Sequence, residues 1–195
     1  MNFELFEEVD SYLEKGKIKE AIKLCESKMQ KLDNTYFHPI LGQDLLHQTE
    51  GLTHWIDGFY QSVSKKIQVQ ALYAEMNGFD VNTDVWYVDG FAYQQAGTTE
   101  DLEWLADWNT DTATEEPFTL TGFEPLQEAF EQYLEEEDTN ENLETARDIA
   151  EVLVIVRLQE LIAEVHKNAK KKGLDWQGIP LLATAHGYET IYESK

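Results

Sequence analysis

IQVQALYAEM (residues 67–76) and VWYVDGFAY (residues 85–93) are the two stretches that decide the class of fold. Both are rich in β-branched and aromatic residues and alternate with a period of two, which is the pattern of strands. Everything upstream has a helical period instead. Residues 3–14 and 18–32 read as a helical hairpin: Phe3, Phe6, Val9 and Leu13 form one stripe, and Ile18, Ala21, Ile22, Cys25 and Met29 form the other, with Gly16 at the turn. On that stripe Cys25 is expected as a small core residue. A third helix is expected from about residue 43 to residue 64.

Downstream, LEWLADW (102–108) and PFTLTGF (117–123) read as a second pair of strands. In the first of these, Leu102, Trp104, Ala106 and Trp108 share one face, while Asp101, Glu103 and Asp107 share the other. Asp89 interrupts its strand in the same way, so one sheet face is expected to be aromatic and buried and the other acidic and wet. Thr121 and Glu124 fit a capping box, with Pro125 in the first turn of the following helix. From Leu143 to about Lys172 runs one long helix. Its segment IAEVLVIV (149–156) is apolar nearly all round, which predicts burial on several sides. Arg147 and Glu151 are expected to pair four residues apart. The lysines at 167 and 170–172 suit a helix C-terminus, and Gly173 is a natural residue to end it. IPLLATAHGYETIY closes the chain as a last strand, with Leu181, Ala183, Ala185 and Ile191 facing in and Thr184, His186, Tyr188 and Tyr192 facing out.

The expectation is therefore a single α+β domain over 1–195. It is helical over 1–65, strand-rich and acidic over 66–122 and helical over 123–172, with a C-terminal strand over 178–192. The architecture predicted is a helical hairpin plus a third helix, a four-strand antiparallel meander, two helices and the last strand.

Net charge carries more information once it is divided along the chain. Of the formal −23, residues 67–146 contribute −20, because they hold 20 acids and no Lys, Arg or His. Residues 1–66 hold 8 cationic and 11 acidic residues, and residues 147–195 hold 7 of each. Such a field repels nucleic acid and anionic membranes and attracts a basic protein or a cation. The first residues lack the basic and apolar regions of a signal peptide, no apolar run is long enough to span a bilayer, and one cysteine excludes an internal disulfide, so a cytoplasmic location is expected.

DWNTDTATEEPF (107–118) spaces Asp107, Asn109 and Asp111 as the first ligands of a calcium loop, and DVNTD (80–84) echoes it. An EF-hand needs glycine at position 6 and glutamate at position 12, whereas the two loops carry Thr112 and Phe118, and Val85 and Phe91. Asx-turns at strand ends explain both stretches, leaving a non-EF site with Glu115 or Glu116 as the residual calcium option. A second metal option lies on the third helix, where His47, Glu50, His54 and Asp57 fall within about 80° of one another. The same four residues also lie opposite the apolar stripe, which is where an amphipathic helix meets solvent. No nucleophile elbow, phosphate loop, Rossmann fingerprint or HExxH motif is present, and no cofactor is implied.

Three functional classes follow. The first is a soluble acidic interaction protein, an inhibitor or immunity-type protein, docking a basic partner through Asp89, Glu103, Asp107, Asp111, Glu115 and Glu116 with Trp108 as aromatic anchor. The second is a metal-assisted hydrolase using His47, Glu50, His54 and Asp57, completed by His166 or His186. The third is a scaffold whose N-terminal helical hairpin binds a peptide.

Overall fold

The computed structural model describes residues 3–99 and 101–194; the side chain of Phe3, expected on the first stripe, lies outside the described part. The protein is α+β, and among the described residues it has five α-helices and a five-stranded mixed sheet. Helices α1 (Phe3–Leu13) and α2 (Ile18–Met29) form the expected hairpin, and Ile18, Ala21, Ile22, Cys25 and Met29 are all buried. Cys25 is a core residue, with its thiol pushed up to about 12 by burial. A short 3₁₀ turn at Leu46–Gln48 precedes α3 (Thr49–Val63), so the third helix starts later than its periodicity suggests. Strands β1 (Ala71–Met76) and β2 (Tyr87–Tyr93) pair antiparallel, with Tyr73 opposite Phe91 and Glu75 opposite Asp89.

Beyond β2 the sheet departs from the expected meander. LEWLADW is not a strand: Glu103–Ala106 form a 3₁₀ turn. PFTLTGF contributes only β3 (Phe118–Thr119), against β2. The final segment is two strands rather than one. β4 (Leu181–Ala185) turns at Gly187, which has a positive φ of 85°, and returns as β5 (Tyr192–Ser194). β4 lies parallel to β1, giving the order β3-β2-β1-β4-β5. A parallel pair requires a crossover, and α4 (Glu124–Glu135) and α5 (Glu141–Lys172) lie within it. In a central strand the alternation rule fails: every residue of β4 is buried, including Thr184, whose hydroxyl donates to the Thr190 carbonyl at 2.8 Å.

Helix α5 is the axis of the molecule. It packs on β4 and α3 on one side and on α2 on the other, so it has no free apolar stripe and every residue from Ile149 to Leu161 is buried or nearly so. The Asn140 side chain caps it by accepting from the Leu143 amide at 3.0 Å, and Gly173 ends it in the left-handed region at φ 68°. At the start of α4 the expected capping box is not made. The Glu124 carboxylate accepts from the Gly122 amide at 2.9 Å, but Thr121 is held by the Gln48 side chain and Phe123 occupies the cap position.

Arg147 and Glu151 do pair on α5, inside a larger charged cluster. Asp80 from the β1–β2 loop and Asp148 lie 3.5 and 3.6 Å from the same guanidinium, and Tyr188 from the β4–β5 hairpin faces Glu151. The Glu151 carboxylate has an ion-pair neighbour but no well-directed hydrogen bond, so desolvation outweighs the pairing and lifts its pKa to about 7.

Candidate functional site

After β2 the chain leaves the sheet at Tyr93, crosses over one face of it, and returns along the outer edge of β2. The return is fixed by three bonds: Ala92 N–H to the Thr112 carbonyl at 2.8 Å, Thr114 N–H to the Gly90 carbonyl at 2.8 Å, and Gly90 N–H to Thr114 Oγ1 at 3.0 Å. The crossing is anchored by its aromatic residues. Trp104 meets Tyr93 edge-on at 4.9 Å, Trp108 lies 4.9 Å from Phe91, and the Tyr93 hydroxyl donates to the Leu105 carbonyl at 2.8 Å. Tyr73, Phe91, Tyr93 and Leu182 thus form a second small core under this segment. The separation of aromatic from acidic residues, expected from a strand, is delivered by an irregular segment whose rings turn inward. Contrary to expectation, the sheet face carrying Asp89 is largely covered.

The acids fall outside this cover. Asp101, Glu103, Asp107, Asp111, Glu115 and Glu116 are exposed, and Trp108 remains 47% exposed despite its contact with Phe91. The expected Asx-turn is present: Asn109 Oδ1 accepts from the Asp111 amide at 2.9 Å, and Thr112 closes the turn through its hydroxyl and amide. Asn109 Oδ1 is therefore committed to the backbone, and the exposed Asp111 carboxylate meets Lys66 Nζ at 3.2 Å. Asp89 stands apart, half-buried beside Glu75, with its pKa raised by burial.

Between this segment and α3 lies an open groove of about 550 Å³. Asp111 and Lys66 pair at one end, and near the other Trp55 donates its indole N–H to the Glu116 carbonyl at 3.2 Å. The wall is Trp55, Phe59 and Phe118, with Trp55 and Phe118 rings 5.9 Å apart. Gly51 and Gly58, two helical turns apart, line α3 on this side. Three of the expected partner-binding acids (Asp111, Glu115 and Glu116) border the groove, while Asp107 and Trp108 sit on the adjoining turn. Trp55, Gly58 and Phe59 are additions that the sequence reading did not make. The available signal was a pair of glycines seven residues apart within a helix, where glycine costs stability.

Of the four residues proposed as metal ligands, Glu50, His54 and Asp57 line one open cavity together with Lys172, and His47 lies apart from them. His47 lies against Thr121, 3.4 Å from its hydroxyl. Glu50 takes a hydrogen bond from Asn168 at 3.0 Å and pairs with Lys172. Asp57 accepts from the Trp176 indole at 3.2 Å, and His54 is exposed. The polar side of α3 is thus partly an interface with the end of α5 rather than a solvent face. Among the described residues, no three His, Cys, Asp or Glu side chains are grouped to hold a metal ion. His166 is buried between Ser194 Oγ and the Gln177 carbonyl, both at 2.9 Å, with its pKa lowered by burial. His186 is exposed and meets Glu75 at 3.1 Å. The inner stripe of the N-terminal hairpin is spent on the core. Among the described residues, no helix is long and apolar enough to cross a membrane.

Comparison with protein-family models, with curated proteins and with solved structures returns no match for the chain.

Proposed function

We propose that the protein binds a basic protein partner through the exposed outer side of residues 101–116, acting as an inhibitor or immunity-type protein that covers the partner's cationic site. The observation that carries this reading is an exposed indole, Trp108, in the same stretch as the exposed Asp107, Asp111, Glu115 and Glu116, within a segment with no cationic residue of its own. Carboxylates at the rim steer an oppositely charged partner and raise the association rate. A rigid aromatic ring among them supplies desolvated contact at small entropic cost. Trp108 is rigid in this sense because its ring already rests on Phe91.

The test is affinity capture followed by titration of the captured protein at low and high salt. The expected partner has a basic surface, its association slows as salt screens the field, and Asp107→Lys with Asp111→Lys abolishes binding. Binding that survives this double charge reversal refutes the reading.

A further inference from the structure

We infer that the groove between α3 and residues 110–118 receives an arginine side chain of the basic partner; the inference rests on the docking reading above and assigns it a specific pocket. Three independent features converge here. The first is shape: about 550 Å³ of open space beside a helix that carries glycine at positions 51 and 58. A methyl group added at Gly58 would meet nothing within 4 Å, so this position is empty of side chain without being needed for close packing. Glycine inside a helix is unfavourable, and at Gly58 neither a positive φ nor a close neighbour accounts for it.

The second feature is chemistry. The walls are aromatic, Trp55, Phe59 and Phe118, and the rim carries three acids, Asp111, Glu115 and Glu116, beside Lys66 and His54. A flat cation with an aliphatic stem suits both: guanidinium is weakly hydrated, packs against aromatic rings and bonds carboxylates through a planar fork. An ammonium head, compact and strongly hydrated, gains less from the walls. The third feature is that a cation of this chain already uses one of these acids. Lys66 reaches Asp111 from the end of α3, with both side chains substantially exposed at 49% and 81%. A solvent-screened pair of that kind is weak and leaves the carboxylate open to exchange with an incoming cation.

The experiment uses the intact chain, an arginine-rich peptide as probe, and a lysine-rich peptide and spermidine as comparators. The readout is the Trp55 indole N–H resonance together with titration calorimetry. Gly58→Trp fills the groove from a position with free space around it and leaves every carboxylate in place, while Gly58→Ala leaves the groove open. The expected result is saturable binding of the arginine peptide that shifts the Trp55 signal, is retained by Gly58→Ala, and weakens about tenfold or more in Gly58→Trp. A Gly58→Trp protein that binds like the wild type overturns the groove assignment. If Asp107→Lys with Asp111→Lys still abolishes binding in that case, the docking reading stands without the groove. An arginine peptide that fails to bind, or binds no better than spermidine or the lysine peptide, also overturns the assignment. Near-UV circular dichroism on each variant separates loss of binding from loss of fold.

Discussion

Glu151 lets the buried chemistry of α5 be tested directly. Its carboxylate is 1% exposed, and burial raises its pKa from 4.5 to about 7 against the opposing pull of Arg147. A raised carboxylate means that the folded state holds the proton more tightly than the unfolded chain. The resulting stability is fully present below pH 4.5 and is lost as pH rises through about 7. The rise from 4.5 to about 7 amounts to roughly 3 kcal/mol of stability lost across that window. Glu151→Gln removes the ionisation and keeps the shape. Arg147 is not orphaned, because Asp80 and Asp148 still lie 3.5 and 3.6 Å from it. The variant should therefore gain on the wild type as pH rises, by about 2–3 kcal/mol between about pH 5 and about pH 8, which is about 5–10 °C in Tm for a chain of this size. Urea denaturation followed by tryptophan fluorescence at several pH values measures the difference between the two proteins. Taking that difference cancels His166, whose lowered pKa acts with the opposite sign: its contribution is present above 6.5 and lost as pH falls. A difference that stays flat with pH would refute the claim that Glu151 is lifted by burial.

Other expectations concern packing and charge. Gly97→Ala places a methyl group 2.2 Å from the Trp104 ring, so the ring must leave Tyr93; amide exchange over residues 98–108 should accelerate, with a loss of about 1–3 kcal/mol in stability. Gly58→Ala should stabilise by about 0.5–1 kcal/mol, since the methyl group enters open space on a helix; a destabilised variant in chemical denaturation would contradict the helical geometry assigned there. Added salt at neutral pH should raise the melting temperature, because it screens repulsion among the acids of 67–146; a melting temperature that falls between low and moderate salt would argue against net self-repulsion.

Local elements were readable where one physical cause dominated. The apolar circumference of residues 149–156 announced a helix buried all round, and α5 is buried by the sheet on one side and α2 on the other. Gly173 ended that helix as its freedom at positive φ suggested. What sequence could not supply was the partner of each strand. LLATA looks like half of an alternating edge strand until β1 takes one side and β5 the other. Alternation also misled at LEWLADW, where the neighbouring Trp104 and Leu105 both pack against the small core of Tyr73, Phe91, Tyr93 and Leu182. Periodicity reports which side chains want burial, and a turn can satisfy that as well as a strand. On α3, the helical wheel gathered His47, Glu50, His54 and Asp57, but the end of α5 claims Glu50 and Trp176 claims Asp57.

The packing of the acidic segment does not by itself require its charge. Most of its aromatic and aliphatic residues are spent on two cores, one under α3 and α5 and one under the 101–113 crossing, while Val81, Val85, Trp108 and Leu134 stay exposed. Having turned those residues inward, the segment is obliged to turn polar ones outward, but nothing obliges them all to be acidic. Side chains from outside the segment reach it at Lys66–Asp111, Arg147–Asp80 and His186–Glu75, which leaves most of its 20 acids without a cationic neighbour among the described residues. Asparagine, threonine and serine would have met the same solvent without mutual repulsion, and Asn109 and Thr112 already build the turn unaided by charge. In the docking proposed above, the charge beside the exposed tryptophan and the aromatic groove would be compensated by the partner's cations.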